Sequence, residues 1–443
     1  MLLAEVTMYV NDILDKYETK FSSSYKLFQR FKEIFPKGVC HDVRKFDPFP
    51  FITEKADSIY LFDVDNNKLI DLWMGHYANI MGHNPKEITN KVNNIIKNGK
   101  HTGTTNIYQL KLAEKIIETV PEIEKLRFCC SGTEATMYAS RIARYYTGKE
   151  IIVKVEGGWH GGSTELGFAI SPPFDNNGYK DNKSISIPFN EIDKTENILE
   201  KFAGKIAGII IEPLLGSGGP VKSDEKFMLS LRKFCDKYGA VLIFDEIITG
   251  FRFRYGSFSP ILGVKPDIIT MGKIIGGGFH IGMYGGNKDI MNVIEKQNII
   301  VGGGTYSANP VSMTAGLEML HLLEKQHHKR LNEAGESLIT NINNYIDQLG
   351  INAMVTGYGS FFSLHFLNTD KEKVDPHKPS TFITCIDKER NALFTILMLL
   401  EGIYSVHCNG ALSFLHLEKK IINTILNSYK TVLKTMQDIS IEK

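Results

Sequence analysis

Two side chains of opposite charge close apolar runs near the middle of the chain. Ala240 to Phe244 is an unbroken aliphatic and aromatic stretch that ends on Asp245-Glu246. That pattern predicts a buried strand with a carboxylate at its tip. Ile268 to Met271 is a second short apolar run, followed by Lys273 and then Gly276, Gly277 and Gly278. Buried without partners, such charges cost roughly several kcal/mol each. A cationic ring nitrogen together with an aldehyde would satisfy both. Either residue alone is equally an ordinary loop Asp or a solvated Lys, so the argument rests on their neighbours.

The elements that must position them read as alternating strands and helices. LRFCC predicts a strand, and SGTEATMYASRIARYYTGK predicts a helix with Ser131 and Glu134 as a capping box and Gly148 at its end. Ala135, Ala139 and Ala143 share one face, so this helix can lie close on a sheet. Its start, at Ser131, Gly132 and Thr133, offers free N–H groups to an anion. In IIVKVEGGWHGG a strand runs into a loop where Gly157, Gly158, Gly161 and Gly162 surround Trp159, an aromatic placed to stack on a planar ring. AGIIIEP is a strand ending at Glu212. Ser131, Trp159, Glu212, Asp245 and Lys273 all follow predicted strands directly. This predicts an α/β domain with a mainly parallel sheet and a ligand at the carboxyl ends of its strands. The segment SPPFDNNGYKDN reads as a mobile loop and a possible lid.

Around this block, residues up to about 38 predict one or two exposed helices, and GVCHDVRKFDPFPF, which carries Arg44, predicts an irregular segment. SIYLFDVDNNKLIDLW reads as a hairpin, and a helix should follow Asn84-Pro85. VGGGTYSANP is a glycine loop holding Thr305, ahead of a long helix. From about 326 the pattern changes to helices and strand-like pieces. The expected organisation is residues 1–75 as an N-terminal segment, 76–325 as the large ligand-binding domain and 326–443 as a smaller α+β domain against which the N-terminal segment packs.

Composition narrows the function classes. With 443 residues, 43% hydrophobic, 23% charged and a net charge of +1, the chain has a large core and no bias toward nucleic acid or membrane. No helix-turn-helix or basic patch is visible. The apolar run Leu393 to Leu400 is too short to cross a bilayer. The N-terminus lacks a basic leader pattern, and six scattered cysteines without paired spacing fit reduced thiols in a cytoplasm. No metal-ligand spacing is present, and His327-His328 reads as a solvated helix end.

Taken in order, FCCSGTEATMYASRIARYYTGK, EGGWHG, IIIEP, LIFDEIITGFR, MGKIIGGG and GGTYSANP resemble the motif set of the class-III pyridoxal-phosphate (PLP) aminotransferases, a fold type I family. Within it the chain is most similar to the glutamate-1-semialdehyde 2,1-aminomutases. The resemblance is strong over about residues 40 to 325 and weaker beyond. It implies PLP, with Lys273 forming the Schiff base and moving a proton, and Asp245 keeping the pyridine nitrogen protonated. Ser131, Gly132 and Thr133 would hold the phosphate, Trp159 and Ile247 would close the two ring faces, and His160, Glu212 and Ser217 would support the ring region. The family match of Thr305 reaches the phosphate in the partner subunit, which implies a homodimer with shared sites. Arg44 would grip a substrate carboxylate.

The likeness departs on the substrate side. His41 stands where the aminomutases usually carry a serine, His76 where they have a pocket tryptophan, and Cys408 near a position of their C-terminal glutamate. The cofactor side is intact. The expectation is therefore an aminotransferase acting between an amino acid or ω-amine, including a β- or γ-amino carboxylate, and an oxo-acid. The aminomutase is the runner-up and a racemase the third reading. A silent scaffold would have lost Lys273 or Asp245.

Overall fold

A computed structural model describes residues 2–172, 174, 183–296 and 299–441. The predicted lid, SPPFDNNGYKDN, falls largely outside the described residues. The N-terminal strands are β1 (Thr53–Asp57), β2 (Tyr60–Asp63) and β3 (Lys68–Asp71). The middle of the chain supplies β4 (Lys125–Cys129), β5 (Ile151–Val155), β6 (Ser184–Ile187), β7 (Ile206–Ile211), β8 (Val241–Asp245), β9 (Ile268–Gly272) and β10 (Gly282–Gly286). The last strands are β11 (Ala353–Tyr358), β12 (Phe361–Phe366), β13 (Ile403–Tyr404) and β14 (Asn409–Ala411).

The central seven-stranded sheet has the order β4-β10-β9-β8-β7-β5-β6. Strands β5 to β9 pair in parallel. β10 runs antiparallel to both β9 and β4, so β4 points the same way as the parallel set. Every residue of β5, β7, β8 and β9 is buried. This is what continuous Val and Ile runs predict for strands covered on both faces. The helix Gly132–Thr147 lies on the sheet by its alanine face. Ala135, Ala139 and Ala143 are fully buried, and a Cβ built on Gly208 of β7 would stand 3.1 Å from Ala143 Cβ.

Two smaller sheets flank this one. In the first, β1, β2 and β3 form antiparallel pairs, and β13, from near the C-terminus, adds in parallel beside β3. In the second the order is β11-β12-β14, all antiparallel. Helices Leu2–Lys20 and Ser22–Ile34 precede the irregular segment, which holds short 3-10 turns at Pro36–Gly38 and Asp42–Arg44. The N-terminal helices are less exposed than the sequence suggests. Tyr17 and Phe21 are fully buried, and the Tyr17 hydroxyl donates to the carbonyl of Phe49.

Three local expectations need correction. Ser131 accepts from Glu134 N at 3.2 Å, but the Glu134 carboxylate turns back to Cys130 N at 2.6 Å rather than to Ser131, so only half of the predicted capping box forms. His328 is not solvated. It is 7% exposed, and its Nε2 stands 3.1 Å from the Phe251 carbonyl, because the first turn of helix His328–Leu349 packs onto that loop. The residues before the helix Lys86–Asn98 contain an unusual turn: Met74, Gly75, His76 and Tyr77 have φ of 44°, 59°, 59° and 69°. A left-handed run costs roughly 1–2 kcal/mol per non-glycine residue. The fully buried Arg252 braces it, donating to the carbonyls of Tyr77 and Leu412.

Glu246, beside the site, is also fully buried, accepting from Phe258 N at 2.7 Å and the Thr249 hydroxyl at 3.2 Å. Burial pushes its pKa up from 4.5 to about 8. The folded chain thus holds this proton where the unfolded chain has lost it. The resulting stability is complete below 4.5 and disappears as pH rises through about 8. Glu246→Gln keeps an acceptor without the titration, so its thermal midpoint should fall less between about pH 5 and about pH 8 than that of the wild type. Melts at the two pH values check this. Parallel curves for the two proteins would contradict it.

Candidate active site

The parallel strands deliver their carboxyl ends to one edge, and a cavity of about 210 Å³ lies there. Its walls include Gly132 and Thr133 after β4, Trp159 and His160 after β5, Glu212 and Ser217 after β7, Asp245 and Ile247 at the end of β8, and Lys273 after β9. His76 closes it from the left-handed turn. Ten of the thirteen residues singled out from the sequence therefore meet in one cavity. Ser131 stands one residue behind as the helix N-cap. Arg44 lines an adjoining cavity instead, and Thr305 is exposed away from both.

Asp245 is oriented from three directions. Its Oδ1 accepts from Ile247 N at 3.1 Å and from the Thr270 hydroxyl at 3.2 Å. Its Oδ2 lies 2.7 Å from His160 Nδ1. A carboxylate only accepts, so Nδ1 carries the proton. Burial lowers the pKa of His160, and the Asp245 contact opposes that shift. Lys273 sits in the left-handed region with φ of 46°, a strained place for a lysine. Burial lowers its pKa, while Asp245 and Glu212 pull it back up and the Arg252 guanidinium lowers it again. A lowered pKa makes the neutral, nucleophilic amine accessible.

Glu212 ties two loops together, accepting from Trp159 N at 2.8 Å and from Gly216 N at 3.0 Å. Burial and the nearby Asp245 carboxylate push its pKa up against those donors. Ile247 reaches across the helix start. A Cβ on Gly132 would stand 3.1 Å from its Cδ1, and one on Gly272 3.0 Å.

The loop after β5 is held by groups that the sequence reading passed over. Lys154 is fully buried within β5, and its ammonium donates to the carbonyls of Gly158 at 2.8 Å, Leu166 at 3.3 Å and Phe168. Burial depresses its pKa to about 8. The Thr136 hydroxyl donates to the His160 carbonyl at 2.6 Å. Gly161 has φ of 87°, and a Cβ there would stand 2.7 Å from Thr133 Cα. Gly161→Ala should therefore push the loop away from the helix start, weakening coenzyme affinity at least about tenfold and costing roughly 1–3 kcal/mol of stability. Titration with coenzyme and a denaturant melt measure both. Unchanged affinity would show that the loop and helix start do not act as one cradle.

On the substrate side His41 and His76 face each other, with ring centroids 5.0 Å apart. Burial, together with His41, Arg44 and Lys273, depresses His76 to about 3, so it is a neutral imidazole, and its Nε2 has no hydrogen-bond partner among the described residues. The signal for Arg252 was present in GFR, but nothing in that triplet says that its cation would be buried.

The donor set suits a phosphorylated aldehyde with a basic ring. The start of a 16-residue helix would offer N–H groups to a dianion, the fixed Asp245 carboxylate would suit a ring nitrogen, and the Lys273 amine would suit a carbonyl carbon. The glycines at 132 and 161 leave the room that side chains would fill. Among the described residues no His, Cys, Asp or Glu group could hold a metal ion, and no helix is long and apolar enough to cross a membrane.

Comparison with known proteins shows the family. The family described as aminotransferase class-III matches residues 43–401. A glutamate-1-semialdehyde 2,1-aminomutase of Methanopyrus kandleri is 38% identical over 362 residues, covering 79% of this chain and 84% of that protein. Among solved structures, a β-phenylalanine aminotransferase from Variovorax paradoxus matches with a TM-score of 0.88 at 26% identity, covering 97% of this chain and 98% of the other. A transaminase with PLP bound matches with a TM-score of 0.86 at 26% identity, over 94% and 98% of the two chains.

Proposed function

The chain belongs to the class-III aminotransferases, PLP-dependent enzymes of fold type I, and on that premise we propose that it moves an amino group between an amino acid or ω-amine and an oxo-acid. The observation that carries this reading is the pairing of β8 with β9, which brings Asp245 and Lys273 to one cavity from adjacent strand ends. PLP supplies the electron sink for bonds broken at the carbon that bears the amine. In this reading Lys273 Nζ binds the coenzyme and moves the proton at that carbon. Asp245 holds the proton on the ring nitrogen, and His160 fixes the carboxylate. Ser131, Gly132 and Thr133 take the phosphate, and Trp159 and Ile247 press the ring faces. Glu212 and Ser217 order the surrounding loops. His76 and Arg44 face the substrate, Arg44 by a bidentate grip on a carboxylate.

The same reading has residues 76–325 as the coenzyme domain and 326–443 as the smaller domain, with 1–75 packed on the latter. Thr305 would meet the phosphate of a second copy, in a homodimer with shared sites. Its exposure in the single chain is compatible with that role. The intramolecular aminomutase is the second reading, favoured by the 38% identity to an archaeal enzyme of that name. One assay separates them. The PLP-loaded enzyme is given amino donors with and without pyruvate or 2-oxoglutarate. An aminotransferase turns over repeatedly only with the acceptor. Sustained conversion of a single substrate without any acceptor would establish the aminomutase instead.

A further inference from the structure

Lys154 sits where an apolar residue would serve the fold better. Its companions in β5 are Ile151, Ile152, Val153 and Val155, and all five residues are buried. The Lys154 ammonium makes no ion pair among the described residues, and Glu212 acts on it through space only. A buried charge without a counter-ion is strongly unfavourable. What it meets instead is three carbonyls, of Gly158, Leu166 and Phe168, which together take every N–H of an ammonium. The first belongs to the start of the loop 157–169 and the other two to its end. The Phe168 ring also lies beside the charge, its centroid 5.3 Å away. Gly157 N donates to the Ala169 carbonyl at 2.9 Å. The ammonium thus closes the loop at its base.

Trp159 and His160 follow that clasp directly. They stand between Gly157 and Gly161, whose φ of 79° and 87° make them natural pivots. Beyond the clasp, single hydrogen bonds hold the pair: Trp159 N to Glu212 at 2.8 Å, the Thr136 hydroxyl to the His160 carbonyl at 2.6 Å, and His160 Nδ1 to Asp245 at 2.7 Å. Trp159 is 42% exposed, so packing alone does not fix its ring.

Resting on the coenzyme contacts assigned to Trp159 and His160 in the reading above, we propose that Lys154 is a positioning residue of this enzyme. It does not line the coenzyme cavity itself. By clasping both ends of the loop 157–169 it fixes where Trp159 and His160 stand in that cavity and, through His160, the direction of the Asp245 carboxylate. Burial lowers the pKa of His160 and the Lys154 charge adds to that effect, so the ring meets Asp245 as a neutral Nδ1–H donor.

The test compares wild type, Lys154→Met and Lys154→Gln in a Trp73→Phe background, where Trp159 is the sole tryptophan of the chain. Met has a similar reach and no donor. Gln keeps two N–H groups on a shorter, neutral side chain and serves as the second variant if the first fails to fold. Before PLP is added, acrylamide should quench Trp159 about twofold more steeply in Lys154→Met, because a side chain 42% exposed in the clasped loop becomes open. With PLP bound, the wild type should show strong visible circular dichroism and a coenzyme-dependent loss of Trp159 emission. Lys154→Met should lose most of both and bind PLP about tenfold more weakly, yet still be labelled on Lys273 by borohydride. Lys154→Gln should fall between the two. Variants with wild-type dichroism, PLP affinity and quenching would overturn the proposal even if they melt at a lower temperature, because Lys154 would then serve stability alone. Steeper acrylamide quenching in the variants, beside a wild-type Trp159 emission that ignores PLP, keeps the clasp and removes Trp159 from the ring face, which is a failure of the site reading above.

Discussion

Lys273→Ala should lower turnover by about 10²–10⁴-fold while leaving the chain folded, the range that a positioned proton-transfer group contributes. Lys273 follows β9 directly, holds a positive φ and faces the same cavity as Asp245. Truncation removes a buried amine whose desolvation is unfavourable, so stability should change little or rise. Borohydride treatment of the loaded wild type should leave coenzyme covalently attached to the chain, and the variant should lose that label while still binding PLP through the helix start. A small excess of methylamine should restore part of the rate, because the missing group is an amine and its cradle remains. A variant with near wild-type turnover would refute the proton-transfer role. Label appearing on Lys154, a fully buried lysine that holds the cavity loop, would move the chemistry to β5.

Asp245→Asn should cost about 10²–10³-fold in turnover, the scale of losing a preorganised electrostatic partner of a developing charge. Coenzyme attachment should survive, because it depends on Lys273. The substitution keeps the shape and removes the anion. It also turns one acceptor of a three-way arrangement into an NH₂ group, which must face Ile247 N, the Thr270 hydroxyl or His160 Nδ1. His160 loses the contact that opposes the effect of burial, so its pKa should fall further. The pyridine nitrogen should no longer hold its proton near neutral pH, and this should appear as a shifted visible absorption of the loaded enzyme. Asp245→Glu should recover little, since a longer side chain cannot keep all three donors. An Asn variant with unaltered spectrum and rate would remove Asp245 from the ring nitrogen.

The strand ends were legible because continuous apolar runs announce buried strands, and a charged residue directly after such a run has few places to go. Asp245, Lys273, Glu212 and the Ser131 helix start were readable for that reason, as was the alanine face that brings Gly132–Thr147 onto the sheet. Lys154 was not, because a lysine within IIVKV looks the same whether it reaches water or turns inward to three carbonyls. The turn at Met74–Tyr77 carries a single glycine among its four left-handed residues, so local propensity argues against it. It exists because Arg252, about 175 residues away, caps it from the core. The pairing of β3 with β13 joins segments over 300 residues apart and has no local signature. His328 misled for a related reason: charged neighbours on both sides disguised a helix start that faces the core.

The central claim is that one coenzyme is held by the carboxylate ending β8 and the amine following β9. Its most direct test is an electron-density map of the PLP-loaded enzyme. The account predicts the pyridine nitrogen at about 2.7–2.9 Å from an Asp245 oxygen, with density continuous from the coenzyme to Lys273 Nζ. A map with the coenzyme joined to another lysine, or with its ring nitrogen turned away from Asp245, would contradict it.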